Sequence, residues 1–277
     1  VFIYYSKKKG KVFKEYKIKS NAKNYRFGDI DGDNDLDILC YTNPSPKGFL
    51  GATFSSFINN GKGEFSYKDF NLSDYSQIRE LELADLNSDG IDDLVIFATK
   101  DKTIFDKGHT VFIYLNDKNG GFSEHKQPDF EFETIKKGKL KVVDNYLKPS
   151  NKDILITGEV NYKQVTILYK NDGQGNFSTK PYFEKGGVLN GEIASGDFDL
   201  KYGDDYLFIG DYKTTIYLSS VNTTHSFIKA DNHPFEKIVK HGSIVVEDFN
   251  GDYLEDVLII GLDANGNYFS KIYLCDE

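Results

Sequence analysis

Short apolar runs recur along this chain, cut apart by clusters of Asp, Asn, Gly and Lys. One kind of run is rich in Ile, Tyr, Phe and Leu and leads through a Gly/Asn turn to a Phe. Val111-Phe-Ile-Tyr-Leu-Asn116 passes through Gly120 and Gly121 to Phe122. Val165-Thr-Ile-Leu-Tyr-Lys-Asn171 passes through Gly173 and Gly175 to Phe177, and Phe57-Ile-Asn-Asn60 through Gly61 and Gly63 to Phe65. Gly and Asn accept positive φ, so such turns between β-rich runs predict hairpins. Weaker copies are Thr215-Ile-Tyr-Leu218 followed by Phe227, and Val1-Phe-Ile-Tyr-Tyr5 followed by Phe13. Lys271-Ile-Tyr-Leu-Cys275 repeats the strand without its hairpin. A second kind of run follows an acidic turn, as in Ile38-Leu39, Leu94-Val95 and Val257-Leu258. Each repeat thus predicts four short strands. The first ends at the acidic turn, the second is the apolar run after it, the third is of Ile-Tyr-Leu type, and the fourth starts at the Phe. No segment carries a capped helical period over three turns. Residues 74–83 and 234–240 have room for a turn or two of helix at most.

The acidic turns share a spacing. They are Asp29-Ile-Asp-Gly-Asp-Asn-Asp-Leu-Asp37, Asp85-Leu-Asn-Ser-Asp-Gly-Ile-Asp-Asp93 and Asp248-Phe-Asn-Gly-Asp-Tyr-Leu-Glu-Asp256. Oxygen-bearing side chains stand at positions one, three, five and nine. They are Asp29, Asp31, Asp33 and Asp37; then Asp85, Asn87, Asp89 and Asp93; then Asp248, Asn250, Asp252 and Asp256. A backbone carbonyl at position seven, from Asp35, Ile91 or Leu254, adds another oxygen. Calcium takes about six to eight oxygen ligands at about 2.3–2.6 Å, and nine residues of this pattern can supply them. The spacing therefore predicts about three calcium ions acting as structural pins. An EF-hand needs flanking helices and a bidentate Glu at position twelve. Here that position holds Cys40, Ile96 and Ile259, and β-rich sequence follows. Several carboxylates packed in nine residues without a cation would repel one another.

Two worn copies of the turn lie between the others. Asp197-Phe-Asp199-Leu-Lys201-Tyr-Gly-Asp-Asp205 keeps positions one, three and nine but puts a lysine at five; Asp144 to Asp153 is one residue too long and lacks the middle acids. Neither is expected to hold an ion strongly. Successive starts are separated by 56, 59, 53 and 51 residues, a period that marks propeller blades and solenoids. The chain reads as one all-β domain over residues 1–277, with repeats at about 24–79, 80–138, 139–191, 192–242 and 243–277 plus 1–23. Four-stranded antiparallel units around an axis make a β-propeller. Closure by strands shared between the two ends would remove the exposed edges of an open array. There are five first strands but six third strands. That count fits five blades with an extra strand at the seam, or six if strands precede Val1.

Composition narrows the classes of function. The 277 residues carry a net charge of -9, without the basic stripe of a nucleic-acid binder. No apolar stretch approaches the ~18 residues of a membrane-spanning helix. The chain starts at Val1 and has no Met, as expected of a mature product whose signal peptide is gone. Cys40 and Cys275 are either two thiols in strands or a single bridge from the first repeat to the last.

With the acidic turn and the Gly-turn-Phe hairpin both in place, the chain resembles the FG-GAP/VCBS repeat family, the calcium-loop propellers of integrin alpha-subunit type. Gly28-Asp-Ile-Asp-Gly-Asp-Asn-Asp-Leu-Asp-Ile-Leu39 and Val246-Glu-Asp-Phe-Asn-Gly-Asp252 carry the likeness. The resemblance implies the propeller fold and calcium ligation by the side chains named above in the first, second and last turns. It implies no single activity, since relatives include adhesion receptors, lectins, bacterial surface proteins and non-catalytic modules of enzymes.

The remaining motifs favour binding over catalysis. His109, His125, His225, His233 and His241 form no zinc pattern and read as surface or packing residues. No nucleophile elbow or phosphate loop is present. Asp92 beside Asp93 and Glu255 beside Asp256 imitate glycosidase acid pairs but belong to their loops. Only Arg26 and Arg79 are available to hold an acidic sugar, which argues against a uronate lyase. The 19 Tyr and 22 Phe mostly alternate into sheet cores, and the lack of Trp weakens a lectin reading. Asn71, Asn176 and Asn222 open N-glycosylation patterns, and Lys7–Lys9 and Lys136–Lys137 read as solvated turns. The expectation is a secreted or cell-surface adhesion or assembly module with no enzymatic activity. Its partner would be a protein, or else a glycan, with no nucleic acid and no membrane span. Contact would come through loops opposite the calcium turns, such as 42–52 and 99–109.

Overall fold

The computed structural model describes residues 2–6, 13–17, 22–43, 52–72, 75–100, 108–126, 130, 134–144, 151–201, 204–211, 213–219, 227–230, 233–235, 240–263 and 265–275. The chain forms two compact units. One comprises Val1–Lys107, Val111–Gln127 and Gly173–Gly175; the other comprises Gly108–Thr110, Pro128–Asp172 and Asn176–Glu277. Most of both expected contact loops, at 44–51 and 101–107, lies outside the described residues, as do Lys7–Lys9 and Asn222.

The described elements are all β, and every strand pairing is antiparallel. β1 (Phe2–Ser6) and β2 (Phe13–Lys17) form a hairpin. β3 (Asn24–Gly28), β4 (Asp37–Thr42), β5 (Thr53–Asn59) and β6 (Phe65–Phe70) form the first four-stranded sheet. β7 (Gln77–Ala84), β8 (Asp93–Thr99), β9 (Thr110–Asn116) and β10 (Phe122–Glu124) form the second. In the second unit, β11 (Lys136–Asp144), β12 (Lys152–Val160), β13 (Lys163–Tyr169) and β14 (Phe183–Lys185) make the third sheet. β15 (Glu192–Gly196), β16 (Asp205–Gly210), β17 (Lys213–Leu218) and β18 (Ile228–Lys229) make the fourth. β19 (Lys240–Glu247), β20 (Asp256–Leu262) and β21 (Tyr268–Tyr273) make a fifth sheet of three strands. These are the predicted meander units: β3, β7, β15 and β19 each end at an acidic turn, and β5, β9 and β13 each enter a Gly/Asn turn.

In the first four sheets the second strand is buried on both faces, so it packs two cores at once. Along β4, Leu39 and Tyr41 join a core with Leu81, Leu94, Ile96 and Tyr114, while Ile38 and Cys40 pack with Phe57 on the other side. Along β16, Tyr206 and Phe208 face a core with Leu155 and Leu168, and Leu207 and Ile209 face one with Val257 and Ile259. Period-two alternation assigns the faces. Burying each such side chain stabilises the fold by about 1.5–3 kcal/mol.

Two local expectations are corrected. Residues 74–83 have no helical turn among those described; 77–84 are strand β7, whose buried positions Ile78, Glu80 and Leu81 straddle a bulge. Sheet pairing with β8 decides that stretch, not its local pattern. Lys136 and Lys137 start β11 instead of forming a turn, and a bulge there gives Lys137 a positive φ of 50°. Neither cysteine is in a disulfide; Cys40 is buried in β4, while Cys275 is half-buried just past β21.

Candidate metal sites

Three acidic turns share one backbone path. Positions four and six take positive φ in each: Gly32 and Asn34, Ser88 and Gly90, Gly251 and Tyr253. That curl turns successive N–H groups inward onto the position-one carboxylate. Gly32 and Asn34 donate to Asp29 at 2.7 and 2.8 Å. Asp89 and Gly90 donate to Asp85 at 3.1 and 2.9 Å. Gly251, Asp252 and Tyr253 donate to Asp248 at 2.6, 3.2 and 2.9 Å. These donors, Tyr253 and Gly251 foremost, hold the Asp248 carboxyl below its ordinary range.

Position nine opens the second strand of each repeat and works as a staple. Its carboxylate is wholly buried at Asp37, Asp93, Asp205 and Asp256. In every case one oxygen accepts the N–H of position two: Ile30 at 2.8 Å, Leu86 at 3.0, Phe198 at 2.9 and Phe249 at 2.9. The other accepts an N–H at the end of the third strand: Asn59 at 2.7 Å, Asn116 at 2.7, Ser219 at 2.6 and Cys275 at 2.9. Even the overlong turn keeps half of it, with Asn171 N–H donating to Asp153 at 2.8 Å. Burial pushes the carboxyls of Asp37, Asp93 and Asp205 up to about 6, against these backbone donors and with neighbouring carboxylates adding to the rise.

Carboxylate oxygens converge at positions one, three and nine. Ligand atoms of Asp29, Asp31 and Asp37 lie within 4.8 Å of one another, and so do those of Asp197, Asp199 and Asp205. Asp31 Oδ1 is buried without a hydrogen-bond partner, and burial, then Asp33, raises its carboxyl. A desolvated carboxylate oxygen with no donor is what a bound cation would satisfy, so these residues fit a hard cation. The turns at Asp85 and Asp248 carry Asn at position three, and their three acids do not converge in this way. Asn87 and Asn250 instead accept the N–H groups of Asp89 and Asp252.

Position five stands outside both clusters. Asp33, Asp89 and Asp252 each accept the N–H two residues on, shaping the turn. At position seven, Asp35 lies against Gly61, the Ile91 side chain lies against Gly32 of the preceding turn, and Leu254 is half-buried. In the fourth turn Lys201 replaces the position-five acid. Its Nζ pairs with Asp199 Oδ2 at 3.1 Å, so this cluster contains a cation of its own. The fourth turn therefore gathers the carboxylates that its worn sequence concealed, and pairs one of them internally.

Sequence reasoning missed the function of position eight. Asp92 Oδ2 accepts the N–H of Asp29 at 2.9 Å, and Glu255 Oε2 accepts that of Asp197 at 2.8 Å. Each acid reaches from one repeat to the first position of the repeat before it. Gly28 and Gly196 make room: a Cβ there would stand 2.3 Å from Asp92 Oδ2 and 2.6 Å from Glu255 Oε2. The only signal was the Gly before position one. Arg26, one of two arginines, is taken up by Glu80 and the Leu81 carbonyl.

Residues 29–96 match the FG-GAP-like repeat. No curated protein matches the chain. Among solved structures, the chain is similar to a lectin of Agrocybe aegerita described by its specific recognition of non-reducing terminal N-acetylglucosamine. The likeness has 17% identity, covers 95% of this chain and 86% of that one, and has a TM-score of 0.43.

Proposed function

From the FG-GAP-like repeat over residues 29–96 as premise, we propose that this chain is a calcium-stabilised binding module without catalytic activity. It works at the cell surface or after secretion and recognises a protein partner. The convergence of Asp29, Asp31 and Asp37, with Asp31 Oδ1 buried and without a donor, carries the calcium part of this reading. Those three residues hold the cation in the first turn; Asp85, Asn87 and Asp93, and Asp248, Asn250 and Asp256, hold it in the second and fifth. A bound ion supplies positive charge to carboxylates that burial otherwise penalises. The chain's own residues do the rest, since the position-nine staple fixes each turn to the third strand before any ion arrives.

The sheets are read as blades of a five-bladed propeller. The fifth sheet has three described strands where the four before it have four, which supports closure by an N-terminal strand. So does its outer face, where Ile260, Ile272 and Leu274 are 42%, 50% and 53% exposed. On a rigid ring, contact loops lose little ordering entropy on binding.

Two measurements test the proposal. Calcium at about 100 times its Kd should stabilise the chain by about 2.7 kcal/mol for each ion bound, and EDTA should abolish that gain. A protein pull-down should give a partner whose capture needs calcium, beside a glycan array without hits. Glycan hits without any protein partner would replace this reading with a lectin.

A further inference from the structure

The acid-turn end of the second unit holds a cavity of about 260 Å³ between the fourth and fifth sheets. Repeats one and two show why it is open. There, the Asn116 side chain spans the corresponding gap, donating to the carbonyls of Ile30 at 2.7 Å and Asp92 at 2.9 Å. By the staple pattern, Phe198 stands where Ile30 does, Glu255 where Asp92 does, and Cys275 where Asn116 does. A thiol cannot make that amide bridge. The space is left to a wall of Phe198, Phe235 and Tyr273, with Ile216 and Val257 behind it. Phe235 meets Tyr273 edge-on at 5.0 Å and Phe198 at 6.4 Å.

The polar groups on the wall have one sign. Asp199 and Glu255 line the cavity, and among its described lining residues there is no Lys or Arg. Two buried polar atoms here have no hydrogen-bond partner, Asp199 Oδ1 and His233 Nδ1. With its proton on Nε2, His233 presents an acceptor at Nδ1. Three acceptors beside aromatic faces select a donor with positive charge and an apolar body. We propose that this cavity binds a small organic ammonium ion of roughly ten non-hydrogen atoms. Its head sits at Asp199, Glu255 and His233, and its body among the three rings. The assignment is independent of calcium, because Lys201 already pairs with the other oxygen of Asp199.

The test is calorimetric titration of the full chain, in calcium-containing buffer, with phenethylammonium, 2-phenylethanol and phenylacetate. Phenethylammonium should bind with a Kd of about 1 mM, the alcohol at least about tenfold more weakly, and phenylacetate not at all. Asp199→Asn should weaken binding of the cation about tenfold. Cys275→Asn, which restores the bridging amide of repeat two, should abolish it. Equal binding of the alcohol and the ammonium by the wild-type chain would overturn the proposal without recourse to any variant. So would no binding of phenethylammonium, or unchanged binding in Cys275→Asn.

Discussion

The turns at Asp29 and Asp197 gather the same three carboxylates and staple position nine to the same two backbone donors, yet they face opposite electrostatic solutions. In the first turn, position five is Asp33, and Asp31 Oδ1 lies buried with nothing to neutralise it. In the fourth, position five is Lys201, whose ammonium reaches Asp199. One turn leaves its buried carboxylate oxygen without a partner; the other carries a cation of its own. The difference teaches that the staple and the ion are separable. The staple belongs to the fold, complete at Asp37, Asp93, Asp205 and Asp256 and half-kept at Asp153, whereas the proposed metal affinity rests on the side chains at positions three and five.

The largest effect tests the shared half of that comparison. Asp37→Ala and Asp205→Ala each strand two N–H groups in a buried site, and each should cost about 3–5 kcal/mol in urea denaturation, with or without calcium. A loss seen at Asp37 alone would mean that the staple is only a ligand. Next comes the half that differs. Asp31→Ala should remove the first turn's share of the calcium gain, about 2.7 kcal/mol at about 100 times Kd, while Asp199→Asn should leave the gain intact; differential scanning calorimetry with and without EDTA reads both.

A third prediction concerns pH. In the metal-free chain, the carboxyls of Asp37, Asp93 and Asp205 hold their protons up to about 6, above their ordinary 3.8. Between those values the folded state binds more protons than the unfolded one, so stability should fall as pH rises from about 4 to about 6. Calcium should flatten the fall at Asp37 and Asp93 but not at Asp205. The smallest effect belongs to the inter-repeat acids. Asp92→Asn and Glu255→Gln should each cost about 1 kcal/mol, and Gly28→Ala should cost more than either, since a Cβ there meets Asp92 Oδ2.

Much of this molecule was legible in the chain. The strand order within a repeat, the acidic turns, and the hairpins at Gly120 and Gly61 follow from alternation and from residues that accept positive φ. What was hidden depends on contacts between repeats. Asp92 and Glu255 look like spare acids until the neighbouring turn is beside them. Ile78 to Leu83 reads ambiguously alone and becomes strand because β8 pairs with it. The convergence of Asp197, Asp199 and Asp205 was masked by Lys201, which disrupts the motif while leaving the position-nine staple in place. The cavity beside Cys275 had no signal at all, because it is a missing side chain relative to Asn116.

The most direct measurement is calcium stoichiometry by equilibrium dialysis of the wild-type chain and of Lys201→Asp. About three ions should bind the wild type, and the variant, with its internal ammonium replaced by a carboxylate, should bind one more. A wild-type chain that takes up no calcium, or a variant that gains none, would contradict the account.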